Sequence, residues 1–118
     1  MIYQWRTAQL TDIDPMLQIT QRDYLSELNQ VLSIDLNKLA ETLAHDIIRQ
    51  NFRPMTVLVQ VIMREDQIVG WTWLGRGVST DYIQEEIAEA HMLHLDLNLP
   101  VRDRIKLVRE TLDSWIRW

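Results

Sequence analysis

The stretch that decides the fold is His91-Met92-Leu93-His94-Leu95-Asp96-Leu97-Asn98-Leu99-Pro100-Val101-Arg102-Asp103-Arg104-Ile105. Leu93, Leu95, Leu97 and Leu99 alternate with His94, Asp96 and Asn98, the period of two expected of a half-buried strand. Pro100 closes that strand. Beyond it Val101, Ile105, Val108, Leu112, Trp115 and Ile116 recur on one stripe, with Arg102, Lys106, Arg109 and Asp113 on the polar face, which is the pattern of an amphipathic helix. A strand therefore runs almost directly into a helix.

Working back from there, Met55 to Met63 contains Thr56, Val57, Val59, Val61 and Ile62, a β-branched run that favours a strand. Arg64-Glu65-Asp66-Gln67 is a polar break, and Ile68 to Leu74 is strand-like again. The two runs read as an antiparallel hairpin, although the turn lacks the glycine that a tight two-residue turn prefers. Gly75, Gly77 and Ser79-Thr80-Asp81 predict a loop, followed by a short helical turn near Ile83 to Ile87. Before the hairpin, Leu36, Leu39, Ala40, Leu43, Ala44, Ile47 and Ile48 form one apolar stripe on a helix between Asp35 and Gln50, which Pro54 ends. Thr11-Asp12-Ile13-Asp14-Pro15 reads as the entry to a helix over about residues 14 to 29, and Ile2 to Arg6 as a first strand. The order is β-α-α-β-β-β-α, an α+β design with a mainly antiparallel sheet.

The chain has 118 residues, 47% of them hydrophobic, which suits one domain over residues 1–118. Cysteine is absent, which excludes disulfides, thiolate nucleophiles and cysteine-bound zinc. Seventeen Asp and Glu against twelve Lys and Arg leave a net charge of -5, the opposite of the balance that nucleic-acid binding draws on. The longest apolar runs, such as Val57-Leu58-Val59, fall far short of the roughly 20 residues that span a bilayer. Met1-Ile2-Tyr3-Gln4-Trp5-Arg6 has no basic region followed by an apolar stretch. The expectation is a cytoplasmic protein with neither a membrane nor a nucleic-acid partner.

Three segments carry a family resemblance: Trp5-Arg6-Thr7-Ala8 followed by Leu10-Thr11-Asp12-Ile13-Asp14, then Asp66-Gln67-Ile68-Val69-Gly70-Trp71, then the leucine-alternating strand from His91 to Asn98 running into the helix from Val101. In this order they resemble the N-terminal and central part of the GNAT superfamily of acyl-CoA-dependent N-acyltransferases. The resemblance implies transfer of an acyl group from acetyl-CoA to an amine. It implies that the strand containing Leu95 and Leu97 lends backbone groups to the pantetheine arm, and that the next loop and helix start hold the pyrophosphate, where free N–H groups and the helix dipole favour an anion. Family members carry Gln or Arg, two residues, Gly, one residue, then Gly or Ala at that point; Asn98 to Ile105 contains no glycine. Arg102, Arg104 and Lys106 are the candidates to supply positive charge by side chain instead, the alternative being a degenerate helix start with solvated charges; Asp103 would place a negative charge close to the phosphates.

Acylation of an amine needs a group that accepts its proton near neutral pH. Glu89 and His91, sharing strand parity with Leu93 and Leu95, are the candidates; their alternative is a solvated patch with Glu85 and Glu86. His91 and His94 point to opposite sides of a strand, so no metal site is expected. The family continues past this helix with a further strand, a helix and two closing strands. The resemblance therefore implies an incomplete domain, truncated at its C-terminus, with an open sheet edge beside His91 to Leu97. Such an edge invites another chain, so a homodimer is expected. The alternative reading is a non-catalytic GNAT-like binding or regulatory module.

Overall fold

A computed structural model describes the backbone of residues 2–27, 36–54, 56–80 and 83–117, with side chains at these positions other than 23–27, 36, 76–80 and 83–91. Strand β1 is Tyr3–Thr7; a single 3-10 turn, Leu10–Asp12, leads into helix α1, Ile13–Glu27, and α2 is Leu36–Phe52. Strands β2, Val57–Arg64, β3, Gln67–Thr80, and β4, Ile83–Leu95, precede helix α3, Val101–Arg117. The four strands form one antiparallel sheet in the order β1-β2-β3-β4. The α+β order expected from the sequence is thus the order observed; residues 28–35, including Asp35 and the expected end of the first helix, lie outside the described residues.

Alternation on β2 and β3 sends side chains to two different layers. Val57, Val59, Val61, Trp71 and Trp73 pack with Ala8, Met16 of α1, and Leu43 and Ile47 of α2. Ile62 turns the other way, and Val69, which shares parity with Trp71, joins it as the extra residue of a bulge opposite Ile62 and Met63; both pack with Leu99 and Leu107 of the α3 region, joined by Tyr3, Trp5 and Leu95. Because helices cover both faces, His94 is as half-buried as Leu93. The expectation of one wet face on this strand is corrected on that ground.

A buried indole N–H without a partner is costly, and each helix of the first layer provides one for a tryptophan of β3. Trp71 Nε1 donates to Thr20 Oγ1 of α1 at 2.9 Å, and Trp73 Nε1 to Asp46 Oδ2 of α2 at 2.7 Å. Gln50, also buried, serves as a substitute ladder residue: Nε2 donates to the Ala8 and Val59 carbonyls, and Oε1 accepts from Val59 N at 2.9 Å. This side chain ties the end of α2 to the point where β1 leaves β2.

The region from Gly75 to Ile87 departs from the sequence reading. Residues 67–80 and 83–95 are two long paired strands, not a loop and a helical turn. Gly75 pairs on both sides, with Val57 and with Glu89, so the ladder outweighs the local preference of glycine for turns. The β2–β3 turn is Glu65-Asp66, between the registered pair Arg64 and Gln67. Glu65 there has φ 57°, the left-handed conformation that disfavours any residue with a Cβ, and the first central position of such a hairpin turn is where glycine is preferred.

Glu65→Gly removes this strain without touching a buried contact. It is expected to stabilise the fold by about 1 kcal/mol, read in thermal denaturation as a rise of a few degrees; an unchanged or lower Tm contradicts the turn assignment.

Candidate functional site

The site grows from the way β4 gives out. Asp96 N still donates to Val69 O at 2.7 Å, but the Asp96 carboxylate then accepts from Asn98 N at 2.8 Å, and Leu99 N donates to Asp96 O at 3.1 Å. That side-chain turn ends the strand at Leu95, short of the expected Asn98, because it captures an N–H that a longer strand needs. Arg22 of α1 fixes the turn by a 2.6 Å contact with Asp96 Oδ1. Pro100 follows, and its carbonyl accepts the first α3 bond, from Arg104 N at 3.0 Å. The N–H groups of Val101, Arg102 and Asp103 precede that bond and have no acceptor within the helix.

Helix α3 lies on the sheet by Leu107 and Thr111, both fully buried. The apolar stripe read from the sequence faces elsewhere: Val101, Ile105, Val108, Leu112 and Ile116 are 37% to 83% exposed. The sheet-facing side accepts polar residues because they find partners there. Thr111 Oγ1 donates to Leu107 O at 2.8 Å, and Asp103 Oδ2 accepts from Tyr3 OH of β1 at 2.6 Å. Burial, reinforced by Asp103, raises the Tyr3 pKa, which keeps the hydroxyl a donor. Asp103 is consequently engaged by β1, and Lys106 by Glu110 at 3.9 Å.

Leu93, His94, Leu95, Leu97, Arg104 and Val108 line a groove of about 250 Å³ between β4, the turn and α3. The sequence-predicted Leu95, Leu97 and Arg104 meet there; Arg102, exposed, is not part of its lining. Arg104 Nε is buried with no hydrogen-bond partner. An orphaned guanidinium donor is costly unless an acceptor is supplied, and nothing in the sequence pattern marks which arginine would carry one. Among the described residues β4 pairs with β3 alone, so its other edge is open beside the groove.

Glu89 stands opposite Gly75 in the register, and Met92 opposite Trp73 and Ala90 opposite Leu74 leave His91 as the extra residue of a bulge. The parity expected to link Glu89 and His91 with Leu93 is broken by that bulge. Both residues' side chains lie outside the described residues. Among the described residues no group of three or more His, Asp or Glu side chains is placed to hold a metal.

A larger cavity of about 470 Å³ lies at the start of α1, lined by Arg6, Asp12, Arg22, Asp66 and Asp96 among others. Its charges serve the fold. Asp12 accepts from Arg6 at 2.6 and 2.8 Å and from Gln9 N at 2.8 Å, and Arg6 holds its carboxyl below the usual range against the opposing effect of burial. It is an anion of structure, not a base for neutral pH.

No protein-family model matches the sequence, and no curated protein matches it. Solved structures do. The PaiA N-acetyltransferase of Thermoplasma acidophilum, in complex with coenzyme A, superposes over 99% of this chain and 73% of its own at a TM-score of 0.73 and 13% identity. The chain has the fold of the GNAT N-acetyltransferases. A predicted acetyltransferase of Clostridium acetobutylicum solved with acetyl-CoA matches over 98% of this chain and 75% of its own, TM-score 0.67, identity 13%. The ribosomal-protein-alanine N-acetyltransferase of Brucella melitensis matches over 99% and 73%, TM-score 0.63, identity 11%. In this GNAT-like fold the Ile68-Val69-Gly70 word has a steric cause: a Cβ at Gly70 would meet His94 O at 2.8 Å and Leu95 Cδ2 at 2.8 Å.

Gly70→Ala therefore forces β3 and β4 apart beside the groove. Urea denaturation is expected to show a loss of about 1–3 kcal/mol; stability equal to the parent contradicts the close approach.

Proposed function

We propose that the chain is a cytoplasmic acyl-CoA-dependent N-acyltransferase, taking an acetyl group from acetyl-CoA to an amine. The observation that carries this reading is the β4–α3 groove: an open strand edge, the apolar Leu95 and Leu97, an unpartnered Arg104 donor, and a helix start with free N–H groups. Coenzyme A and acetyl-CoA accompany two of the structural neighbours, and no described helix is long and apolar enough to cross a membrane.

Acetyl-CoA supplies, when bound, a thioester activated toward nitrogen nucleophiles. Leu95 and Leu97 offer apolar contact and backbone groups to its pantetheine arm, Arg104 offers its free donor to a phosphate or carbonyl oxygen, and the first turn of α3 favours the anionic end. The glycines of the family loop are absent, so side chain replaces backbone in part of this cradle, with Arg102 at its outer rim. Asp103 is held by Tyr3 on the β1 flank of the helix, turned away from the groove but still charged. Glu89 and His91 are proposed to take the proton that the amine nitrogen loses as its bond to the carbonyl carbon forms and the carbon–sulfur bond breaks.

A second reading, a non-catalytic GNAT-like module that works as a homodimer, draws on a different observation. The open β4 edge and the exposed α3 stripe are the surfaces a second copy would cover.

Thermal denaturation with acetyl-CoA separates the two. Saturation at about a hundredfold over Kd stabilises by about 2.7 kcal/mol, a rise of roughly 10 °C, and Arg104→Ala is expected to weaken binding about tenfold. A Tm that millimolar acetyl-CoA leaves unchanged contradicts the acyltransferase reading.

A further inference from the structure

Arg22 reaches the turn that borders the groove from the other face of the sheet. It belongs to α1, which Thr20 ties to the buried Trp71 of β3, whereas the groove lies on the α3 side. Arg22 Nη2 donates to Asp96 Oδ1 at 2.6 Å, and the same oxygen accepts from Asn98 N at 2.8 Å. Asp96 stands between Leu95 and Leu97, both of which line the groove.

The Asp96 carboxylate has two effects that conflict. It shapes the turn that delivers α3, and it brings a negative charge to a helix start suited to an anion. Leu99 N is bonded to Asp96 O, which closes a turn and keeps the two Cα atoms within about 7 Å. Helix α3 begins two residues further on, at Val101, so the carboxylate lies within roughly 14 Å of the free N–H groups. The Asp96 side chain is only 16% exposed, and solvent screens such a charge incompletely. The cavity on the α1 side adds to the problem. Arg6 and Asp12 pair with each other there, and Asp66 lines it together with Asp96. Arg22 is the cation of that lining that offsets these two carboxylates.

We infer that Arg22 is a positioning residue for the acyl donor: it neutralises Asp96, so that the carboxylate holds the turn without repelling the donor's phosphates from the start of α3. This inference rests on the acyltransferase reading and deepens it.

Rescue separates charge cancellation from a plain mechanical tie between α1 and the turn. Asparagine at position 96 keeps an oxygen for Asn98 N and carries no charge. If Arg22 cancels charge, removing that charge makes it dispensable; if it only ties α1 to the turn, nothing is recovered.

The test is calorimetric titration of the full chain with acetyl-CoA, with circular dichroism checking the fold of each variant. Arg22→Ala is expected to raise Kd about three- to fivefold at about 50 mM salt, and the deficit to shrink below about twofold at about 0.5 M. Arg22→Gln, which keeps a donor and loses the charge, is expected to bind as weakly as Arg22→Ala. Asp96→Asn alone is expected to bind at least as tightly as the parent. Arg22→Ala combined with Asp96→Asn is expected to return to within about twofold of the parent. Loss of affinity in Asp96→Asn, no recovery in the double variant, or a Kd that Arg22→Ala leaves unchanged overturns the inference and leaves the acyltransferase reading standing. A parent chain that does not bind acetyl-CoA overturns both.

Discussion

Two indole hydrogen bonds hold the architecture in place. Trp71 and Trp73 are buried on one side of β3, and a partner for each indole N–H offsets the desolvation that this burial costs. Thr20 meets one and Asp46 the other, so α1 and α2 are committed to the same face. β3 alternates, and the opposite face therefore belongs to Gly70 and Thr72 and to whatever covers them. That cover is α3, delivered there by the Asp96 turn and anchored through Leu99 and Leu107. The groove between α3 and the last strand exists because the helix crosses the sheet without covering its edge.

Much of this was legible in residues whose pattern and environment agree. The stripe Leu43 and Ile47 packs where a helical period places it, and the branched run around Val59 and Val61 is a central strand. Resemblance to the GNAT order rested on such elements and on Gly70, whose role is steric: a side chain there meets the carbonyl of His94. The strand after Leu74 was hidden, because glycines and hydroxyl residues signal turns locally while the pairing with β2 and β4 is not local at all. The His91 bulge was hidden for the same reason, since an extra residue shows itself only against a partner strand.

The candidate site was legible in part. Leu95, Leu97 and Arg104 follow from the strand-to-helix reading and do meet. The orientation of α3 does not follow, because amphipathicity states which face is apolar and not which way that face looks. Polar residues lie on the sheet because Tyr3 and the Leu107 carbonyl satisfy Asp103 and Thr111, and the apolar stripe is released toward the open edge. Asp103 stays in the first turn of α3 with its carboxylate turned toward Tyr3 of β1, on the flank away from Arg104.

An open strand edge, a helix start and an orphaned arginine donor thus converge at one groove, while in the larger cavity Arg6 is paired with Asp12 and Arg22 with Asp96. The most direct measurement of that assignment is a backbone amide spectrum of the labelled chain titrated with acetyl-CoA. Shift changes are expected to be confined to residues 93–97 and 101–105, with those of Arg6, Asp12 and Gln18 unmoved. Changes centred on the Arg6–Asp12 cavity, or none at saturating ligand, would contradict it.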